Sequence, residues 1–210
     1  MLKRRRGVYV ALDANTHTLV AVAYDITEGG RDLFEFYQRL ANSGLQPKYA
    51  TIDGNRQQNK YLMKVWPSIT TQRCIVHVQR QGLSWCRLHP KRTDAKHLRK
   101  LFVDLSKIKT PADAQQFIHR VEVWEKRFGP DIQHTPKHGY VFSDLKSARR
   151  MLLNTLPNLF LFTERPEIAS STNALEGYFS RLKERYRRHR GLSKPHQRSY
   201  FLWYFYFVRK

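Results

Sequence analysis

Asp13, Asp53 and Glu176 are the residues of this 210-residue sequence whose type and setting best suit chemistry. Asp13 ends the run GVYVALD (7–13), and Asp53 ends KYATID (48–53). Aspartate is disfavoured inside strands, and at a strand's end its carboxylate projects beyond the sheet edge. Both are followed by turn residues, so turn chemistry accounts for either one taken alone. Glu176 lies in STNALEGYFSRLKERYRRHRG (171–191), where Lys and Arg crowd a predicted helix. Leu175, Phe179, Leu182 and Tyr186 recur there at core spacing, while Glu176, Ser180, Lys183 and Arg187 share the flank about 100° away. That flank is a carboxylate followed by an anion-binding row. The other account of Glu176 is a capping box, with Asn173 at the cap and the carboxylate reaching back to a free backbone N–H. A carboxylate sits against a phosphate where a divalent cation lies between them. Two such ions about 4 Å apart activate an attacking oxygen and stabilise a leaving one. Three carboxylates and a basic rail are equipment for phosphodiester chemistry.

The charge balance supports a polyanionic partner. Lys and Arg number 38 against 17 Asp and Glu, a formal charge of +21, which points to nucleic acid and makes Ser180, Lys183 and Arg187 the expected DNA contacts. No apolar run approaches the roughly 20 residues that span a bilayer. MLKRRRGVYVALD opens on a basic cluster and lacks a signal-peptide core and cleavage site. Two cysteines make no secreted disulfide framework, so a reducing, cytoplasmic setting is expected, nucleoid-associated if the source is bacterial. Cys74-x-x-His77 followed by Cys86-x-x-His89 offers four potential zinc ligands, against which stand packed cysteines, ordinary polar histidines and a short spacer. Trp85 beside them suits a core, or a base-stacking surface.

The elements that must position these residues follow from periodicity. Residues 7–15 and 18–25 are two apolar runs a few residues apart, hence an antiparallel hairpin. Leu33, Phe36, Tyr37 and Leu40 keep helical spacing until Gly44. Residues 48–53 form a third strand, and Tyr61, Leu62, Val65 and Trp66 a helix closed by Pro67. SITTQRCIVHV (68–78) reads as a fourth strand, and a further one is expected between residues 22 and 32. Together these predict a mixed α/β sheet. Beyond residue 85 the pattern is helical. Leu98, Leu101, Phe102 and Leu105 form one stripe; Thr110 and Pro111 start a helix whose core face is Ala114, Phe117, Ile118, Val121 and Trp124, ending at Gly129. Residues 129–139 read as a loop and 143–156 as a helix. SYFLWYFYFVRK (199–210) suits strand or helix and is too aromatic to be left in water.

Asp13, the IDGN around Asp53, RCIVH with Cys74 and His77, and TNALE ending in Glu176 resemble, in this order, the DDE transposases of the Mutator-like and related bacterial insertion-sequence type. The resemblance covers roughly residues 7 to 192. It implies an RNase H-like core, α/β, with an all-α insertion before the final acidic residue: 1–85 and 161–210 as core, 86–160 as insertion. It further implies that Asp13, Asp53 and Glu176 hold Mg2+ (or Mn2+), with Cys74, His77 and Asn173 accessory. The implied activity is DNA strand cleavage by water and strand transfer by a freed 3′-hydroxyl, acting on transposon ends and target DNA. Such enzymes carry an N-terminal DNA-binding domain, whereas here the first strand begins near residue 7. Either the sequence is a fragment or a separate reading frame, or end recognition comes from elsewhere; a homodimer or a separate end-recognition protein is the expected partner. A nuclease or resolvase of the same fold, or a non-catalytic DNA-binding protein whose carboxylates only cap and turn, are the alternatives.

Overall fold

The computed structural model describes residues 6–27, 30–134, 139–189 and 191–208. The chain divides into two compact units, Met1–Thr70 with Thr172–Lys210, and Thr71–Ser171. The first unit opens with the expected hairpin, β1 (Arg6–Leu12) and β2 (Leu19–Thr27). The strands are antiparallel, Val10 facing Val22 and Ala11 facing Ala21, with register shifts between Gly7 and Tyr9 and between Ala11 and Leu12. The hairpin is covered on both faces. Tyr9, Ala11, Ala21 and Ala23 join one apolar cluster; Val8, Val10, Leu12, Leu19, Val22 and Tyr24 join another. Burial on two faces is why these strands read as unbroken apolar runs and not as an alternation.

The first cluster is completed by α1 (Arg31–Asn42), β3 (Tyr49–Ile52) and α2 (Arg56–Val65). Leu33, Phe36 and Tyr37 point inward from α1 as their spacing predicts, and Gly44 takes a positive φ of 90° after the helix, a conformation glycine adopts without a Cβ clash. The indole of Trp66 is buried and donates to Leu45 O at 2.9 Å. β3 pairs with β4 (Thr70–Arg73), beginning with Thr70 N–H to Lys48 O at 3.0 Å. The α/β class is therefore present as two two-stranded sheets, β1–β2 and β3–β4, and not as one continuous sheet among the described residues. The further strand expected between residues 22 and 32 has no separate existence among them either: β2 runs to Thr27 and α1 starts at Arg31, with residues 28–29 outside the described set.

The second unit is helical: α3 (Ile75–Cys86), α4 (Thr93–Asp104), α5 (Pro111–His134), α6 (Gly139–Thr155) and the short α7 (Leu161–Glu164). The strand expected over 68–78 stops at Arg73, and Ile75, Val76 and Val78 belong to α3. Ile75 and Val78 are three residues apart and both enter the helical core, so tertiary burial overrides the strand preference of β-branched residues. Gly82 allows α3 to approach α4 closely, since a Cβ there would meet the Phe102 ring at 2.2 Å. Helix α5 starts as expected: Thr110 Oγ1 accepts Asp113 N–H at 3.2 Å while the Asp113 carboxylate accepts Thr110 N–H at 2.8 Å. It does not end at Gly129. The helix runs through Pro130 to His134, carried on by Ile132, which is fully buried. Of the loop expected over 129–139, residues 135–138 lie outside the described set.

The chain then returns to the first unit with α8 (Asn173–Arg187) and α9 (Lys194–Val208). Tyr178 and Leu182 of α8 and Phe205 of α9 are buried against Val10, covering the second face of the hairpin. Tyr178 stacks on Phe205 with ring centroids 5.7 Å apart, and Tyr186 meets Phe201 at 5.2 Å, so the two helices run antiparallel. SYFLWYFYFVRK is thus helical to Val208, with residues 209–210 outside the described set. No helix among the described residues is long and apolar enough to cross a membrane.

Candidate active site

All three candidate carboxylates belong to the first unit, on elements that share the β1–β2 hairpin as their support. Asp13 follows the last residue of β1, and Asp53 the last residue of β3. Glu176 lies in the first turn of α8. Leu12 and Leu175, their chain neighbours, pack on the same apolar cluster, and Ile52 beside Asp53 is buried in the cluster on the opposite face of the hairpin. The strand ends and the helix start are thereby fixed by core packing, leaving the polar side chains at the margin.

Asp13 builds a turn. Its Oδ1 accepts Asn15 N–H at 2.9 Å and Thr16 N–H at 2.8 Å, and its own N–H donates to Thr18 O. The Thr16 backbone N–H, then the Thr16 hydroxyl and the Asn15 N–H, hold the Asp13 carboxyl below the usual range, so it is ionised at neutral pH. Asp53 also builds a turn. It is exposed and its Oδ1 accepts Asn55 N–H at 3.0 Å across Gly54, whose φ is +98°. Asn55 in turn caps α2, accepting Gln57 N–H and Gln58 N–H. The turn chemistry foreseen for each aspartate is realised, and both keep carboxylate oxygens facing solvent. Neither forms an ion pair with a described residue.

Glu176 differs. It is half-buried, with Oε1 screened from solvent. The capping box does not form as expected: Thr172 is the N-cap, without a side-chain cap bond, and Asn173 is already the first helical residue. Glu176 stands one position too far along for the reciprocal bond, and its N–H donates to Thr172 O at 3.0 Å within the helix. The rotation of α8 matches the apolar spacing: Leu182 is buried and Leu175, Phe179 and Tyr186 are half-buried, while Ser180, Lys183 and Arg187 are exposed. Tyr178, buried and stacked on Phe205, is a core residue the spacing argument missed; only the aromatic density of 199–207 hinted at its partner.

Among the described residues, no three of His, Cys, Asp and Glu are grouped closely enough to hold a metal ion. Asp13, Asp53 and Glu176 are therefore suitable hard donors in type, and are not drawn together as a ready-made metal cage. Cys74 and His77 belong to the helical unit. Cys74 is fully buried at the N-cap of α3, and His77 Nδ1 lies 3.2 Å from its Sγ. Cys86 ends the same helix, about 18 Å away at 1.5 Å per residue. Cys74 and Cys86 thus cannot ligate one zinc ion, and burial pushes the Cys86 thiol up to about 12, so it stays protonated. Trp85 is half-buried against the helical core, as its packing reading required.

A search of curated proteins finds no match. The family model described as Transposase, Mutator family, matches residues 6–199, a span that includes β1, both aspartates, the helical unit and α8. The chain belongs to the Mutator family of transposases.

Proposed function

We propose that this chain is the catalytic domain of a DNA transposase, performing strand cleavage and strand transfer through Asp13, Asp53 and Glu176. The observation that carries this reading is the family match over residues 6–199, which contains all three acids. Their placement adds to it: two follow strands and the third opens a helix whose exposed flank bears Ser180, Lys183 and Arg187. On this reading the three acids belong to an RNase H-like core of residues 1–85 and 161–210, with residues 86–160 as its helical insertion. Mg2+ (or Mn2+) bound by these carboxylates would lower the barrier by activating the attacking oxygen and stabilising the leaving one. Mg2+ binds through one or two carboxylates, with water and substrate phosphate filling the octahedron, so the site need not be a preformed protein cage. Asp13 and Asp53 contribute carboxylate oxygens fixed by backbone N–H groups. Glu176 contributes a partly desolvated carboxylate, and Lys183 and Arg187 hold the DNA backbone beside it. Cys74, His77 and Asn173 act as accessory residues that shape the site or meet the strand. The partners are transposon-end and target DNA, and a second copy of the chain or a separate end-recognition protein, in the cytoplasm or nucleoid.

Incubating the chain with supercoiled DNA and Mg2+ tests this. Nicking and joining of strands that stop on chelation, with the fold intact by circular dichroism, are the expected result. DNA binding without any metal-dependent nicking would favour the second reading, a non-catalytic DNA-binding protein. That reading has its own support in the turns made by Asp13 and Asp53, which give both side chains a structural task.

A further inference from the structure

Helix α9 leaves an aromatic surface in water. Phe205 is 2% exposed and anchors the helix, whereas Trp203 is 60%, Tyr206 55% and Phe207 61% exposed. Helical spacing puts these three on one side, with Leu202 at their edge. The rings are ordered against one another: Trp203 and Phe207 stack at 5.7 Å with an interplanar angle of 21°, and Tyr206 stands nearly perpendicular to Trp203. Arg185 and His189 meet other rings of the same helix. The Arg185 guanidinium is 5.7 Å from the Tyr204 ring, one helical turn from Phe207, and the His189 ring is 5.0 Å from Tyr200. Residues 172–210 hold ten Lys or Arg against only Glu176 and Glu184.

We infer that the Trp203–Phe207 face of α9 is a stacking platform for unpaired bases of single-stranded DNA, with Arg185 and the other α8 cations holding its phosphates. Two physical arguments select this occupant. Exposed π-faces on a segment rich in Lys and Arg match nucleobases on a phosphate backbone, the combination by which single strands are gripped without sequence preference. A duplex keeps its base faces inside its own stack, so only unpaired bases reach the rings. A second copy of the chain fits less well. Three rings exposed to this degree offer about 250–450 Å2, short of the roughly 800 Å2 each partner contributes to a stable interface. Self-association would also bring two strongly cationic segments together. The inference takes nucleic acid as partner from the proposed function, yet it concerns binding and needs no cleavage.

The test is binding of a short oligo(dT) and of a duplex of equal length to the full chain in EDTA, by fluorescence anisotropy of labelled DNA. Chelation prevents cleavage, so failure of the catalytic reading leaves this outcome unaffected. Trp203→Ala should weaken oligo(dT) binding about tenfold or more, with duplex affinity changed less than about twofold. Trp203→Phe should restore most of the loss, and Arg185→Ala should lower the salt dependence of oligo(dT) binding. Thermal unfolding of each variant confirms the fold. Oligo(dT) affinity unchanged in Trp203→Ala, or single strand and duplex weakened equally, would overturn the platform. So would a wild-type dimer in sedimentation that Trp203→Ala dissociates, since a second copy would then cover the face.

Discussion

Three acids of the helical unit, Asp94, Asp104 and Glu125, and the two candidate aspartates of the hairpin unit are put to different use. In the helical unit these three meet cations. Asp94, buried, pairs with Arg92 at 2.6 Å; Asp104, nearly buried, bonds Lys107 at 2.7 Å and Arg120 at 2.5 Å; Glu125 is bidentate with Arg149. Burial would raise the Asp104 carboxyl, but Lys107 and Arg120 outweigh it and hold it low. These pairs tie helices together: Asp104 and Arg120 link α4 to α5, Glu125 and Arg149 link α5 to α6. In the hairpin unit Asp13 and Asp53 meet backbone N–H groups of their own turns. A carboxylate neutralised by arginine has no charge left for a cation, while one held by amides does. Among these five residues the contrast separates acids already paired with a cation from acids whose charge stays open to one.

The contrast predicts its largest effect on activity. Asp13→Asn, Asp53→Asn and Glu176→Gln should each lower metal-dependent nicking by about 10²–10³-fold or more, the scale of losing a preorganised electrostatic contact. Asparagine can still accept the turn N–H bonds, so unfolding midpoints in urea should barely move. Leu182→Ala should do the reverse. Truncating this buried side chain should lower stability by about 2–5 kcal/mol, read by the same urea titration, and affect nicking only through the fraction unfolded.

Smaller effects follow for the paired acids. Asp104→Asn removes charge-assisted bonds to partly exposed partners and should cost about 1–3 kcal/mol without loss of nicking. The folded carboxyl lies below its unfolded value near 3.9, so its stabilisation is present above that pH and disappears as pH falls through the folded value. Acid titration should therefore destabilise the wild type more than Asp104→Asn below about pH 4. Smallest of all, Lys183→Ala with Arg187→Ala should weaken duplex binding and lower the slope of log affinity against log salt by about one unit per lost contact. Both side chains are exposed, so stability should be unchanged.

Much of the frame was readable from residues because local and tertiary demands agree there. The paired runs of β1 and β2, the Leu33, Phe36, Tyr37 face of α1, the Thr110–Asp113 cap and the rotation of α8 all follow from spacing. Where the demands conflict, spacing misleads. RCIVHV is short and β-branched, and only the helical core against which Ile75 and Val78 pack makes it a helix. Gly129 and Pro130 carry two stop signals, yet the burial of Ile132 continues α5 past them. Aromatic density in 199–207 implies burial, and one face of α9 contradicts it. At the site, strand ends and helix face were visible as patterns, whereas the choice of Thr172 over Asn173 as cap depends on backbone angles that composition does not encode. Which acids meet arginine is likewise a long-range fact: Glu125 and Arg149 are 24 residues apart.

The most direct measurement of the central claim is Mn2+ binding to the full chain with a short duplex present, read by the loss of the free-ion EPR signal. Wild type and Asp104→Asn should bind Mn2+ alike, while Asp13→Asn, Asp53→Asn and Glu176→Gln should each bind it markedly more weakly. Equal binding by all three of these variants, or a loss confined to Asp104→Asn, would contradict the assignment of the hairpin-unit carboxylates to metal chemistry.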